Sequence, residues 1–233
     1  MDSRWSNSKE VEMPAEEFTH TGTDVASRVR TGFGDSSGAQ LADSSILSWI
    51  NDGQREIVNS NPILRATKIT DVVAGQSDYS FPNDKVLSIE ALYISGYPLT
   101  NLSPQAAREY IQAQDPTKLL NAERPDVWYE RAGIITLFPV PNKNITSGLK
   151  LEYITNPTAL STLGSTLSVP DRYFNELVSY VIAQALEMDE NYDASNMKLR
   201  QFRDGLDRLS TKDTLSQDSQ YAAVMADPAD AWY

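Results

Sequence analysis

Between Tyr173 and Met188 the chain sets Tyr173, Phe174, Leu177, Val178, Val181, Ile182, Ala185, Leu186 and Met188 at spacings typical of one side of a helix. Apolar residues at that period form a single broad face. Fully burying each large side chain contributes roughly 1.5–3 kcal/mol. This is the most apolar helix that the sequence offers, so it is expected at the centre of a core, with the other elements arranged to cover it. Ser168 followed three residues later by Asp171 has the form of a capping box, and Pro170 suits a first turn.

Three further helices accompany it. Asp43–Asn59 opens on a carboxylate able to cap free backbone N–H groups, and Ile46, Leu47, Ile50, Ile57 and Val58 recur on one face. Gly53 interrupts it. Glycine in a helix interior costs about 1 kcal/mol relative to alanine, so another backbone is expected to approach closely there. A shorter helix is expected over Thr23–Phe33, with Thr23 as cap and Val25, Val29 and Phe33 inward, broken by Gly32, Gly34 and Gly38. A last helix is capped by Asp193. Its stripe of Met197, Leu199, Phe202, Leu206 and Leu209 lies opposite Lys198, Arg200, Arg203 and Arg208.

The middle of the chain changes period. Ala66–Val73, Val86–Ile94 and Leu149–Ile154 read as strands, Tyr79 and Phe81 alternate with polar neighbours, and Asn83-Asp84 marks a turn. Asp126–Arg131 and Ile134–Pro141 flank Ala132-Gly133, a two-residue turn that specifies a hairpin. Ser103 caps a short helix running to Gln114, with Ala107, Tyr110 and Ile111 on one side. The resulting expectation is an α+β fold: an antiparallel helical bundle (residues 23–65 and 156–211) with an inserted, mostly antiparallel β-sheet domain (66–155). An extended N-terminal arm (1–22) and a C-terminal docking tail (212–233) complete it.

Composition removes several classes of function. With 32 acidic and 20 basic residues the formal net charge is −12, which opposes adhesive binding to DNA phosphates through Lys and Arg. The absence of Cys excludes disulfide frameworks and thiolate metal sites. No apolar run approaches the ~20 residues needed to span a bilayer, and no secretory signal is expected at the N-terminus. The single histidine, His20, sits in the polar arm, which argues against histidine-based general base chemistry.

The remaining motifs are weak as chemistry. Asp189-Glu190-Asn191-Tyr192-Asp193 opens like a calcium loop, but Ala194 replaces the required glycine and Arg200 stands at the bidentate glutamate position. A turn between two helices is the expected reading. Gly32-Phe33-Gly34 lacks the third glycine and the preceding strand of a nucleotide loop. No serine elbow or Walker-type loop occurs. No catalytic, cofactor-binding or metal residue is therefore assigned, and no cofactor or enzymatic activity is expected.

Trp49-Ile50-Asn51-Asp52-Gly53-Gln54-Arg55-Glu56, placed after a shorter helix ending in Gly-Asp, resembles the head-to-tail adaptor (connector) proteins of tailed bacteriophages, the tail tubular protein A type. Gly75 to Pro82 (Gly-x-x-x-Tyr-x-Phe-Pro), the Pro125–Pro141 hairpin and Pro170-Asp171-Arg172-Tyr173 match the same pattern. The resemblance covers about Thr23 to Leu209 and leaves the preceding arm unexplained.

That resemblance implies a virion structural protein at the head-tail junction, assembled in the host cytoplasm. It implies a homo-oligomeric ring, commonly twelve subunits, beneath the portal protein. It further implies that the C-terminal tail docks on the portal and that the β insertion receives tail nozzle, tube or fibre proteins. On this sequence the portal contact falls on Tyr221, Val224, Met225, Trp232 and Tyr233, and contacts between subunits fall on Arg200 and Arg203. Double-stranded DNA is expected to pass through without sequence-specific binding, since an acidic channel wall would repel phosphate, and no membrane partner is expected. A tail or baseplate structural component is the alternative, and a cellular protein-interaction module the third reading.

Overall fold

Thr21 opens the first helix because its hydroxyl accepts from the N–H of Asp24 while the Asp24 carboxylate accepts from the N–H of Thr21 at 2.7 Å. This reciprocal box satisfies donors that have no intrahelical partner. The computed structural model describes residues 18–35, 37–81, 85–113 and 124–225, with side chains through residue 210. The described chain is α+β, with five α-helices and two mostly antiparallel sheets. It divides into two compact units, one holding the described residues up to Asn61 and from Thr158 onward, the other Pro62–Pro157.

The helical unit contains α1 (Gly22–Phe33), α2 (Asp43–Ser60), a 3-10 turn (Asp171–Tyr173), α4 (Phe174–Met188) and α5 (Tyr192–Met225). Helix α4 packs against α1, α2 and α5. Tyr173, Phe174, Leu177, Val178, Val181, Ile182 and Ala185 are buried, as the apolar period requires. Met188 is an exception: at the last turn it is 52% exposed.

Caps depart from the sequence expectation. Thr23 lies inside α1 and gives its N–H and hydroxyl to the Leu163 carbonyl, at 2.7 and 3.1 Å. Asp43 is the first helical residue of α2, not its cap; Ala42 precedes it without a side-chain cap, and the Asp43 carboxylate pairs with Arg30 at 2.5 Å. Ser168 and Asp171 form no box, since the Ser168 hydroxyl donates to the Thr158 carbonyl and Asp171 accepts from Thr19 and His20. Asn191 supplies the acceptor at the start of α5, and Asp193 stays exposed. Thr23, Asp43, Ser168 and Asp171 share one cause: a polar side chain with a partner elsewhere in the fold leaves its local cap.

On α5 the inward stripe is Ser195, Phe202, Gly205 and Leu206, with Leu199 and Leu209 partly buried. Met197, expected inward, is 64% exposed. The backbone stays helical to Met225, past residue 211 where the sequence period ends. Asp189 and Glu190 form the expected turn between α4 and α5, with Glu190 at φ 57°.

The β unit holds two four-stranded sheets. The first has the order β1 (Arg65–Val72), β8 (Ile145–Thr155), β3 (Val86–Ile94), β4 (Tyr97–Pro98), all antiparallel. The second has the order β2 (Asp78–Ser80), β7 (Ile134–Phe138), β6 (Val127–Arg131), β5 (Thr100–Asn101), where only β5 and β6 run parallel. Both sheets feed one core containing Leu92, Ile94, Leu149 and Leu151 from the first and Tyr79, Trp128, Ile135 and Leu137 from the second. Helix α3 (Pro104–Ala113) begins where Ser103 accepts from the N–H of Ala106, and buries Ala107. The β6–β7 turn places Ala132 at φ 52° and Gly133 at φ 78°, the doubly positive conformation that matches the twist of a tight hairpin. The Asn83-Asp84 turn and Gln114 lie outside the described residues.

Candidate functional site

The residues of the Trp49–Glu56 motif act on the packing around α2. Asn51 accepts the N–H of Leu160 at 2.7 Å and donates its amide to the Leu160 carbonyl at 3.1 Å. One turn on, the side-chain carbonyl of fully buried Gln54 accepts the N–H of Ser168 at 2.6 Å. Between them Gly53 faces α4. A Cβ there would stand 2.6 Å from Leu177 Cδ1 and 2.8 Å from Tyr180 Cδ1. The close approach inferred from the sequence is thus made by side chains and not by another backbone. Asp52 and Arg55 pair at 2.5 Å on the exposed side.

The loop that Asn51 and Gln54 hold also ties down the start of the described chain. Gly22 N–H donates to Ser165 O, Leu167 N–H to His20 O, and Thr21 bridges Thr166. The Asp171 carboxylate accepts from the backbone N–H and the hydroxyl of Thr19 and from the N–H of His20. The Thr19 hydroxyl is the main cause holding the Asp171 carboxyl below its ordinary range, with the backbone N–H groups adding to it. The His20 ring stacks on Phe174 at 3.9 Å, and the Arg28 guanidinium lies 5.1 Å from the same ring. His20 is therefore packed on the helical unit, where the sequence reading left it in a polar arm. Residues 1–17 of that arm lie outside the described residues.

A second carboxylate organises the α1–α2 connection. Asp35, 3% exposed, accepts N–H groups from Ala39, Gln40 and Leu41 at 2.9–3.0 Å. The Leu41 bond is the largest cause lowering its pKa. Beside this loop a depression of about 410 Å³ is lined by Thr23, Ser27, Arg30, Thr31 and Asp43. Arg30 and Asp43 satisfy each other there, and Arg30 also donates to Leu41 O. The depression offers hydroxyls and a neutralised ion pair but no nucleophile beside a base. Among the described residues no three His, Asp or Glu side chains are placed to hold a metal ion.

The surface carries acidic groups on α2 and α4 and basic groups on α5. Tyr180, packed against Phe202 at 5.2 Å, has its pKa raised by burial first and then by Asp52, Glu56 and Glu187. These carboxylates form an acidic surface of the helical unit. Arg200 and Arg203 are exposed on α5. Tyr221, Val224 and Met225 fall in the final turns of α5; Trp232 and Tyr233 lie outside the described residues.

A motif that spends its polar residues on a loop and its glycine on a helix crossing belongs to a scaffold, and comparison with protein families agrees. The model of the SU10 adaptor protein family matches residues 21–226. The chain belongs to that family. It is a phage head-to-tail adaptor family, so the chain has a structural role within the phage particle. The match starts at the Thr21 cap and spans both units. No curated protein matches the adaptor. Among its described residues no helix is long and apolar enough to cross a membrane.

What the sequence reading missed is the role of Asn51 and Gln54. A polar residue on the apolar side of a helix was the available signal: Gln54 lies between Ile50 and Ile57 on the buried face, and a buried amide must find a partner.

Proposed function

We propose that the adaptor forms a ring beneath the portal, joins capsid to tail and lines the DNA exit channel. The observation that carries this reading is the family match over residues 21–226. A ring needs two unlike surfaces on each subunit, related by a rotation that closes. The helical unit offers such a pair: Arg200 and Arg203 on α5, and the Asp52, Glu56 and Glu187 surface around Tyr180. Twelve copies are the number implied by the family resemblance.

The segment from Asp213 onward, with Tyr221, Val224, Met225, Trp232 and Tyr233, is the proposed portal contact. Aromatic side chains supply much contact area at low entropic cost. The β unit is the proposed receiver of nozzle, tube or fibre proteins. Duplex DNA passes along a wall whose net charge follows the chain's −12. Charges more than about 8–10 Å from the duplex are screened at physiological salt, so the lumen-facing residues decide this. The adaptor assembles in the host cytoplasm and resides at the head-tail junction.

Truncation before Asp213 tests the portal contact. Among the described side chains the last buried position of α5 is Leu206, so the shortened chain is expected to keep its far-UV circular dichroism and cooperative melt. It is expected to lose co-sedimentation with portal rings. Full retention of portal binding would place the contact elsewhere, and a subunit that stays monomeric with and without portal would remove the ring reading.

A further inference from the structure

Among the described residues strand β1 leaves one edge open. The other terminal strands, β2, β4 and β5, are two or three residues long, whereas β1 has eight. Among the described residues β1 pairs only with β8. The direction of its free backbone groups follows from register. Thr155 N–H donates to Leu64 O at 2.8 Å, and pairing then runs residue by residue from Arg65–Ile154 to Thr70–Leu149. Hydrogen-bonded and non-hydrogen-bonded pairs alternate in an antiparallel ladder. Ala66, Lys68 and Thr70 therefore turn their backbone groups to β8, while Thr67 and Ile69 turn theirs to the open edge. Ile69 is also 58% exposed. Long, β-branched open edges recruit another strand unless something covers them.

We propose that residues 9–13 of a second copy cover this edge as an added antiparallel strand. Residues 1–17 carry five acidic and two basic side chains, against one acidic and two basic in β1. Glu10-Val11-Glu12-Met13 alternates charged and apolar residues before Pro14. Setting Glu12 opposite Lys68 places Val11 opposite Ile69 and Met13 opposite Thr67. Lys68 is then in a non-hydrogen-bonded pair, where facing side chains come closest. Pro14 falls opposite Ala66, so its missing N–H faces away from β1, the position where an added strand tolerates proline. Six residue steps separate Met13 from the anchor at Thr19, at most about 20–22 Å when extended, so the pairing requires a neighbouring subunit whose β1 edge lies within that distance of Thr19. The pairing uses the ring reading only in needing a second copy alongside.

The chain has no cysteine, so introduced thiols report cleanly. Met13→Cys and Thr67→Cys chains are mixed and mildly oxidised; facing residues of a ladder lie within disulfide reach. The heterodimer is expected to outweigh either homodimer. Lys68→Glu is expected to lower its yield by about threefold, and Glu12→Lys on the arm partner to restore it. Absence of the heterodimer, an unchanged yield with Lys68→Glu, or an intrachain bond at monomer mass in the doubly substituted chain would each overturn the proposal. Sedimentation of the unsubstituted protein reads the ring separately, so loss of the cross-link with rings intact rejects this pairing alone.

Discussion

The Asn51 side chain holds both backbone groups of Leu160, accepting the N–H at 2.7 Å and donating to the carbonyl at 3.1 Å. A side-chain amide here substitutes for a neighbouring strand, and it joins two segments 109 residues apart. Replacement by Leu leaves two polar backbone groups of a part-buried loop unpaired, each costing about 1–3 kcal/mol where water cannot reach. Asn51→Leu is expected to lower the urea midpoint of the helical unit by the equivalent of about 2 kcal/mol. An unchanged midpoint would show that water replaces Asn51 at no cost.

Gly53→Ala sets two effects against each other. Alanine gains about 1 kcal/mol of helix propensity, but its Cβ would overlap Leu177 and Tyr180 at 2.6 and 2.8 Å. Overpacking of a well-filled core typically costs 1–3 kcal/mol. A net fall in thermal midpoint is expected, and Leu177→Ala in the same chain should relieve part of it. Additive losses in the double variant would place the strain elsewhere.

Asp35 and Asp171 both have folded-state pKa values below the ordinary carboxylate range. Such groups stabilise the fold fully above the unfolded value of about 3.9 and lose that contribution as pH falls through the lower folded value. Urea midpoints are expected to hold from pH 7 to about 5 and to drop below about 4. Asp35→Asn with Asp171→Asn should lower the midpoint at pH 7 and flatten the acid drop. An equally steep drop in that variant would assign it to other carboxylates.

Ala132 occupies the left-handed region at φ 52° without the freedom of glycine, a conformation costing roughly 1–2 kcal/mol for an ordinary L-residue. Asn tolerates it and forms the preferred Asn-Gly turn with Gly133. Ala132→Asn is expected to raise the stability of the β unit by about 0.5–1 kcal/mol, read as a higher thermal midpoint.

Arg200→Glu with Arg203→Glu should prevent ring formation in sedimentation while leaving the subunit's melt within about 1 kcal/mol, since exposed charges contribute little to folding. Reversing Asp52, Glu56 and Glu187 to Lys on a mixed partner is the expected rescue. Rings that survive the Arg reversals would move the interface off this face of α5.

Period and turn chemistry were legible before any coordinates. The apolar face of α4, the Val86–Ile94 strand and the Ala132-Gly133 hairpin each follow from spacing that only one local conformation satisfies. The family was legible as well, because the α2 motif carries residues whose spacing serves one packing arrangement. Caps were less legible. Thr23, Asp43 and Ser168 have the right chemistry for a helix start, but a hydrogen-bonding side chain goes to whichever partner the fold brings within about 3 Å.

The linear chain thus determined where helices and strands form, through backbone sterics and the burial of periodic apolar faces, both of which act within a few residues. Only the tertiary structure decided which polar side chains serve as fasteners. Asn51, Gln54 and Asp171 bind backbone more than a hundred residues away, and a directional bond of a few ångströms exists only once packing has placed its two ends together.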